Sequence, residues 1–213
     1  MSLGTSFIFG FIAAFIGTSL PGLINMTAVK INQQNGMIRA IWFSGGATFI
    51  IFFQTLVAVL FAKFLNQRSD ISHLLQEIGF VLFLMLTFVF FWLEFKKNKK
   101  IIKIKEPIKL RSKSSRFFLG ALVSVLNLFP IPYYVFVSVS LASYDYFSFG
   151  VSDIYAFAFG TAVAAFLVFY GYIVAFYKFE KKLNFVSKNI NIIIGSITAL
   201  VAIISLVNIL KAQ

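Results

Sequence analysis

Long blocks of apolar residues, separated by short polar or charged segments, make up most of this chain. Six such blocks cover about residues 5–29, 40–62, 75–95, 117–143, 153–177 and 189–210. Each is close to the ~20 residues that a helix needs to cross a bilayer, and none carries a charged side chain at its centre. Because backbone polar groups in lipid must be satisfied within the segment, we predict an all-α integral membrane protein with six transmembrane helices.

The composition excludes most soluble classes of protein. The chain has 213 residues, 60% hydrophobic and 12% charged, which is more apolar surface than a soluble domain of this size can bury. It has no cysteine, which excludes disulfides and thiolate metal sites. The net charge is +12, but the lysines fall between the apolar blocks rather than on one folded basic face, so we expect no nucleic-acid partner.

Lysine and arginine are distributed unevenly between the loops. Sixteen fall in alternate loops on one side of the predicted membrane and three on the other. The positive-inside rule places the sixteen in the cytoplasm and both termini outside (N-out/C-out). Ten of them lie in residues 96–116, a polybasic linker between residues 1–95 and 117–213. We expect this linker to lie against anionic lipid headgroups, with a regulatory or partner-binding role as the alternative.

The two halves of the chain resemble each other in order. The stretch "FGFIAAFIGTSLPGL" in the first block aligns with "LGALVSVLNLFPIP" in the fourth, which pairs Gly10 with Gly120. The second and fifth blocks align with Gly46 paired to Gly160. Each half has three spans, so the second enters the membrane upside down relative to the first, as in the inverted repeats of secondary transporters. Chance similarity between apolar segments is the alternative.

Prolines interrupt the first and fourth blocks at equivalent places. A proline removes a backbone donor and clashes with the preceding helical turn. Such breaks are tolerated in a membrane where the freed backbone lines a polar cavity, and the helix ends there carry partial charges. A simple kink, with nearby hydroxyls bonded to their own helix, is the alternative. The candidate substrate-binding residues are Pro21, Gly22, Asn25, Asn127, Pro130, Pro132 and Tyr133.

Polar and small side chains inside the other blocks predict contacts between helices. Gln54 and Thr55 are expected to hydrogen-bond between helices, with lining of a transport pathway as the alternative. Close packing is expected at Gly45, Gly46, Gly160 and Gly171. No Asp, Glu, Lys, Arg or His lies at mid-membrane, and the spans contain no nucleophile–base pair, metal cluster or phosphate loop. We therefore expect no enzymatic activity, no metal site and no cofactor.

The interrupted segments resemble those of the LysE-type (LysE/RhtB) amino acid exporters. The resemblance rests on "PGL" at 21–23, glycines at 36 and 45–46, the polybasic linker, and "FFLGALVSVLNLFPIP" at 117–132. That family has six spans, with a Pro-Gly-Pro motif late in the first and an Asn-Pro motif in the fourth. In this chain Leu23 replaces the second proline, and two residues separate Asn127 from Pro130.

The resemblance implies a multi-pass secondary transporter of the plasma (inner) membrane. It would export a small polar metabolite, such as an amino acid or a derivative, by alternating access driven by the proton gradient. The small-molecule substrate and anionic lipid headgroups would be its partners, and the oligomeric state, including a homo-oligomer, stays open. The alternatives are a metal-ion exporter of the same superfamily and a non-transporting membrane scaffold that acts through the polybasic linker.

Overall fold

The computed structural model describes residues 2–20, 22–66 and 112–188, with isolated positions from 84 to 95 and from 192 to 207. Within these residues all regular secondary structure is helical, as the sequence predicts. The helices are α1 Leu3–Ser19, α2 Leu23–Asn35, α3 Met37–Asn66, α4 Lys113–Leu126, α5 Pro130–Ser143 and α6 Val151–Lys188. Side chains of α6 are described as far as Ala175. The third and sixth predicted spans and most of the polybasic linker lie outside the described residues, apart from isolated helical positions.

Two of the described helices, α3 and the first 25 residues of α6, are long and apolar enough to cross a membrane. Helices α1 and α2 pass the same test together but are bent by 71°, and α4 and α5 pass it together with a bend of 64°. The described part of the chain thus has two candidate spans, or up to four if each bent pair is one span. Large apolar side chains exposed along α3, such as Phe49 and Val57, suit lipid better than water.

The first and fourth predicted spans are therefore each two helices. Pro130 begins α5, at a position where its missing N–H would have had no helical partner. Gly22 precedes α2, which runs beyond the predicted end of the first span to Asn35. Gly36, with φ of 87°, ends α2 in a conformation that favours glycine.

Helices α1 and α6 cross with their backbones in contact. A Cβ atom added to Gly10 would lie 2.1 Å from the carbonyl oxygen of Phe157. One added to Gly160 would lie 2.2 Å from the carbonyl oxygen of Phe7. Both distances are far shorter than any van der Waals contact, so only glycine fits at these two positions.

Helices α3 and α4 cross in the same way. A Cβ on Gly46 would lie 1.9 Å from the carbonyl oxygen of Phe117, and one on Gly120 would lie 1.9 Å from that of Phe43. The neighbouring Gly45 reaches only an ordinary contact, 4.0 Å from the Phe117 ring. The close approach thus depends on one glycine from each helix.

The two crossings occupy equivalent places in the alignment of the halves. Gly10 aligns with Gly120 and Gly46 with Gly160, so the α1–α6 crossing corresponds to the α4–α3 crossing. The close packing predicted for Gly46 and Gly160 is confirmed. The same prediction for Gly171 is wrong, because a Cβ there would meet nothing within 4 Å.

The helices of each crossing pair run in the same direction. Between α1 and α6, hydrogen bonds join Ser6 to Asp153 near the helix starts and Tyr172 to Ser19 near the end of α1. Between α3 and α4 the contacts advance in the same order along both helices, from Gly46 beside the Phe117 carbonyl to Gln54 bonded to the Ser124 carbonyl. Contacts divide the chain into two compact units, residues 1–64 with 109–187 and residues 65–108 with 188–213. The first unit holds nearly all of the six helices and combines parts of both predicted halves.

Candidate functional site

A cavity of about 90 Å³ lies between the two helix breaks of the first unit. Its wall comes from the ends of α1 and α4, the starts of α2 and α5, and the middle of α3 and α6. The lining residues are Gly17, Thr18, Leu20, Gly22, Leu23, Ile24, Asn25, Ile51, Asn127, Phe129, Pro130, Tyr133, Tyr134 and Phe169. None of these carries a charged side chain, so the described wall is neutral and owes its polarity to helix ends, amides and hydroxyls.

Five of the seven candidate binding residues line this cavity: Gly22, Asn25, Asn127, Pro130 and Tyr133. They come from both predicted halves of the chain, so the fold brings the two interruptions to one place. Pro132, in the first turn of α5, is not among the lining residues. Pro21 lies outside the described residues.

Side-chain donors satisfy the carbonyl groups at the end of α1. The Asn25 amide nitrogen reaches back across the break and donates to the carbonyl oxygens of Thr18 at 2.9 Å and Leu20 at 2.8 Å. The Tyr172 hydroxyl donates to the carbonyl oxygen of Ser19 at 2.6 Å. Asn25 is only 3% exposed, so its first role is to hold this break together from within.

The end of α4 is satisfied by the same chemistry from a different helix. The Gln54 amide nitrogen, on α3, donates to the carbonyl oxygens of Ser124 and Asn127, each at 3.0 Å. The Thr161 hydroxyl donates to that of Thr55 at 3.1 Å, which joins α6 to α3. The predicted inter-helix hydrogen bonding of Gln54 and Thr55 is confirmed, and neither residue is among those that line the cavity.

Tyr133 both lines the cavity and packs against α1. Its hydroxyl donates to the carbonyl oxygen of Ala13 at 2.8 Å. A Cβ atom added to Gly17 would lie 2.8 Å from the Tyr133 ring, so this glycine makes room for the tyrosine. The contact joins α5 to α1 directly beside the cavity.

The four helix ends around the cavity differ in what they offer a ligand. The carbonyl groups ending α1 and α4 already accept hydrogen bonds from Asn25, Tyr172 and Gln54. Helix α5 has Pro130 and Pro132 in its first turn, and proline has no N–H. Helix α2 begins at the cavity with no side-chain cap on its first-turn amides. Its positive end therefore favours a carboxylate or another negatively polarised group there.

No family model, curated protein or solved structure matches this chain. The cavity and its surroundings therefore carry the functional argument on their own.

Sequence reasoning did not select all of the wall. Ile51 and Phe169 line the cavity, but an apolar residue inside an apolar block gives no sequence signal of its own. Tyr172 is not part of the wall but does carry a sequence signal, because its region of the fifth block aligns with that of Gln54 in the second. Both of these residues donate to carbonyl groups at a helix break.

Proposed function

We propose that this chain is a LysE-type secondary transporter that exports a small polar metabolite across the plasma (inner) membrane. The observation that carries the proposal is the cavity between the two breaks, with a neutral described wall built from both halves of the chain. An amino acid or a derivative suits this chemistry. The uncapped start of α2 favours a carboxylate, and Asn127 lines the same cavity.

The proposed architecture is six spans in two inverted repeats of three, with both termini outside. The equivalence of the two glycine crossings supports a repeat, as do the bends of 71° and 64° at aligned places. The distribution of lysine and arginine supports the orientation. In transporters built this way the substrate binds between the repeats, at discontinuous helices.

Alternating access explains why side-chain donors hold the carbonyl groups at the ends of α1 and α4. A cavity that opens to each side in turn loses and regains water, and an unsatisfied buried carbonyl costs free energy whenever it is dry. Asn25, Tyr172 and Gln54 supply donors that stay with the protein, so the breaks need no water to remain stable. The amides of α2 are then left for the substrate. Proton coupling is part of the proposal on the strength of the family resemblance.

Export is tested by metabolite profiling of cells that lack or overproduce the protein. We expect one small polar metabolite to rise in the medium on overproduction and to accumulate inside on deletion. Asn127→Ala should lower this export at least tenfold, because it removes a polar group from the cavity wall. Leu128→Ala is the matched control, since the adjacent Leu128 is 67% exposed and outside the wall.

Unchanged metabolite levels across amino acids, their derivatives and metals would overturn the transport proposal. Export that is equal in Asn127→Ala and Leu128→Ala would keep transport but remove this cavity as the binding site. Both variants need to be present in the membrane at the wild-type level for the comparison.

A further inference from the structure

Two guanidinium groups meet where α2 ends and α3 and α4 begin. Arg39 donates through Nη1 to the backbone carbonyl oxygen of Asn35 at 2.8 Å. Arg116 donates through Nη2 to the side-chain oxygen of the same Asn35 at 2.7 Å. Arg116 is 5% exposed, and its buried Nε has no hydrogen-bond partner. Two cations thus share one neutral residue, and one of them is buried.

The charges of this arginine pair are not balanced by the described protein. No carboxylate among the described residues forms an ion pair with Arg39 or Arg116, and their like charges repel. Burying a cation without a negative partner costs free energy, because the charge loses its hydration and gains no opposite charge in return. Helix packing alone gives no reason to bring two guanidiniums here.

The equivalent junction, between α1 and α6, shows that such a place can be built without a pair of cations. The spacing that relates Gly46 to Gly160 also relates Arg39 to Asp153, and the spacing of Gly10 to Gly120 relates Ser6 to Arg116.

At that second junction Asp153 accepts hydrogen bonds from the hydroxyls of Ser6, at 2.8 Å, and Ser148. A single anion is there matched by two neutral donors, so its charge is locally satisfied. The arginine junction has the opposite composition, with two charged donors and a single neutral acceptor. Its donors exceed the acceptors that the described residues provide.

We propose that Arg39 and Arg116 form a binding site for an oxyanion, a carboxylate or a phosphate. The planar guanidinium matches such groups and binds them through paired, charge-assisted hydrogen bonds. Neither arginine lines the cavity, and Arg39 precedes the cavity residue Ile51 by about 18 Å along α3. The site is separate from the cavity and stands whether or not the chain is a transporter. Its ligand is either a lipid phosphate or a free anion in solution.

The test uses the full chain, purified in a neutral detergent, and follows its thermal unfolding. Inorganic phosphate and acetate are titrated against chloride at equal ionic strength. We expect both oxyanions to raise the unfolding temperature more than chloride does. In Arg116→Gln the apparent affinity for phosphate should fall at least about tenfold, because a charge-assisted hydrogen bond is lost.

Lys113→Gln is the matched control. Lys113 lies one turn earlier on α4, is exposed, and carries the same charge. This variant should keep the oxyanion effect. Because Arg116 is buried, Arg116→Gln can fail to fold; Arg39→Gln then decides, since Arg39 is only half-buried.

A second set of measurements identifies the source of the ligand. The protein is placed in nanodiscs of phosphatidylcholine with and without phosphatidic acid. Stabilisation by phosphatidic acid that needs both arginines, with no effect of soluble anions, assigns the site to a lipid phosphate. Stabilisation by phosphate or acetate in detergent assigns it to a free ligand. The proposal is overturned if neither arm shows an oxyanion effect, or if the effect survives in both arginine variants.

Discussion

The Asn25 side chain connects the two sides of the first helix break. It lies on the first turn of α2, and its amide nitrogen holds two carbonyl oxygens at the end of α1. Only a neutral carboxamide does this well at that size, because an ionised aspartate has no proton to donate. Asn25 is only 3% exposed, so water does not replace its amide as the hydrogen-bond donor.

We predict that Asn25→Ala lowers the free energy of unfolding by about 2 kcal/mol, since two carbonyl groups lose their donor. Asn25→Asp should be worse, because its carboxylate repels both carbonyl oxygens. Thr27→Ala is the control, since the Thr27 hydroxyl bonds only to the Leu23 carbonyl of its own helix. Unfolding in mixed micelles with rising dodecyl sulfate measures the three changes. Equal stability of Asn25→Ala and Thr27→Ala would contradict the proposed role of the Asn25 amide in joining α1 to α2.

At this scale the sequence predicts which residues lie near the breaks but not how they are used. The positions of Asn25 and Asn127 beside the prolines predict that both bind substrate. In the structure Asn25 turns back to cap α1, while Asn127 ends α4 and accepts through its backbone from Gln54. That difference depends on the angle between the broken helices, which no local pattern encodes.

At the scale of helices, the glycine crossings set how closely the elements approach. We predict that Gly120→Ala destabilises the protein by about 3 kcal/mol or more, because its new methyl group meets the Phe43 backbone rather than a movable side chain. Gly10→Ala should cost a similar amount at the equivalent crossing.

Gly171→Ala is the control for both substitutions. A Cβ at Gly171 meets nothing within 4 Å, and alanine favours the helix over glycine by about 1 kcal/mol. This variant should be neutral or slightly stabilised in the same unfolding measurement. A Gly120→Ala protein as stable as Gly171→Ala would show that the crossing is not close.

The crossings also show why some helix contacts were predictable and others were not. Gly160 and Gly171 look alike in the sequence, since both are small residues in one apolar block. Gly160 faces a neighbouring backbone and Gly171 does not, and the choice of face depends on which helix lies alongside. The alignment of the halves does distinguish them, because it pairs Gly160 with another glycine, Gly46.

At the scale of the whole molecule, the path of the chain across the membrane is the feature to test. The α4–α5 pair is either one broken span or a re-entrant loop, and the six-span architecture requires a span. The chain has no cysteine, so single-cysteine variants report position without a background signal. Lys113 begins α4, and Tyr144, which is 74% exposed, follows α5.

We predict that Tyr144→Cys reacts with a membrane-impermeant maleimide in intact cells, whereas Lys113→Cys reacts only after the membrane is opened. The expectation follows from the positive-inside orientation. Reversed labelling would invert the topology, and labelling of both positions from one side would make α4–α5 a re-entrant loop.

The four crossing glycines also bear on how the molecule can move. Where one helix backbone touches another at these glycines, no side chain lies between them that could change rotamer as the helices shift. Sliding by even one residue would drive a side chain into a carbonyl group, so we expect α1 with α6, and α3 with α4, each to move as one unit. The flexibility needed for any large rearrangement is left to the breaks that follow α1 and α4. The joints of the protein would then be the same segments that enclose its cavity.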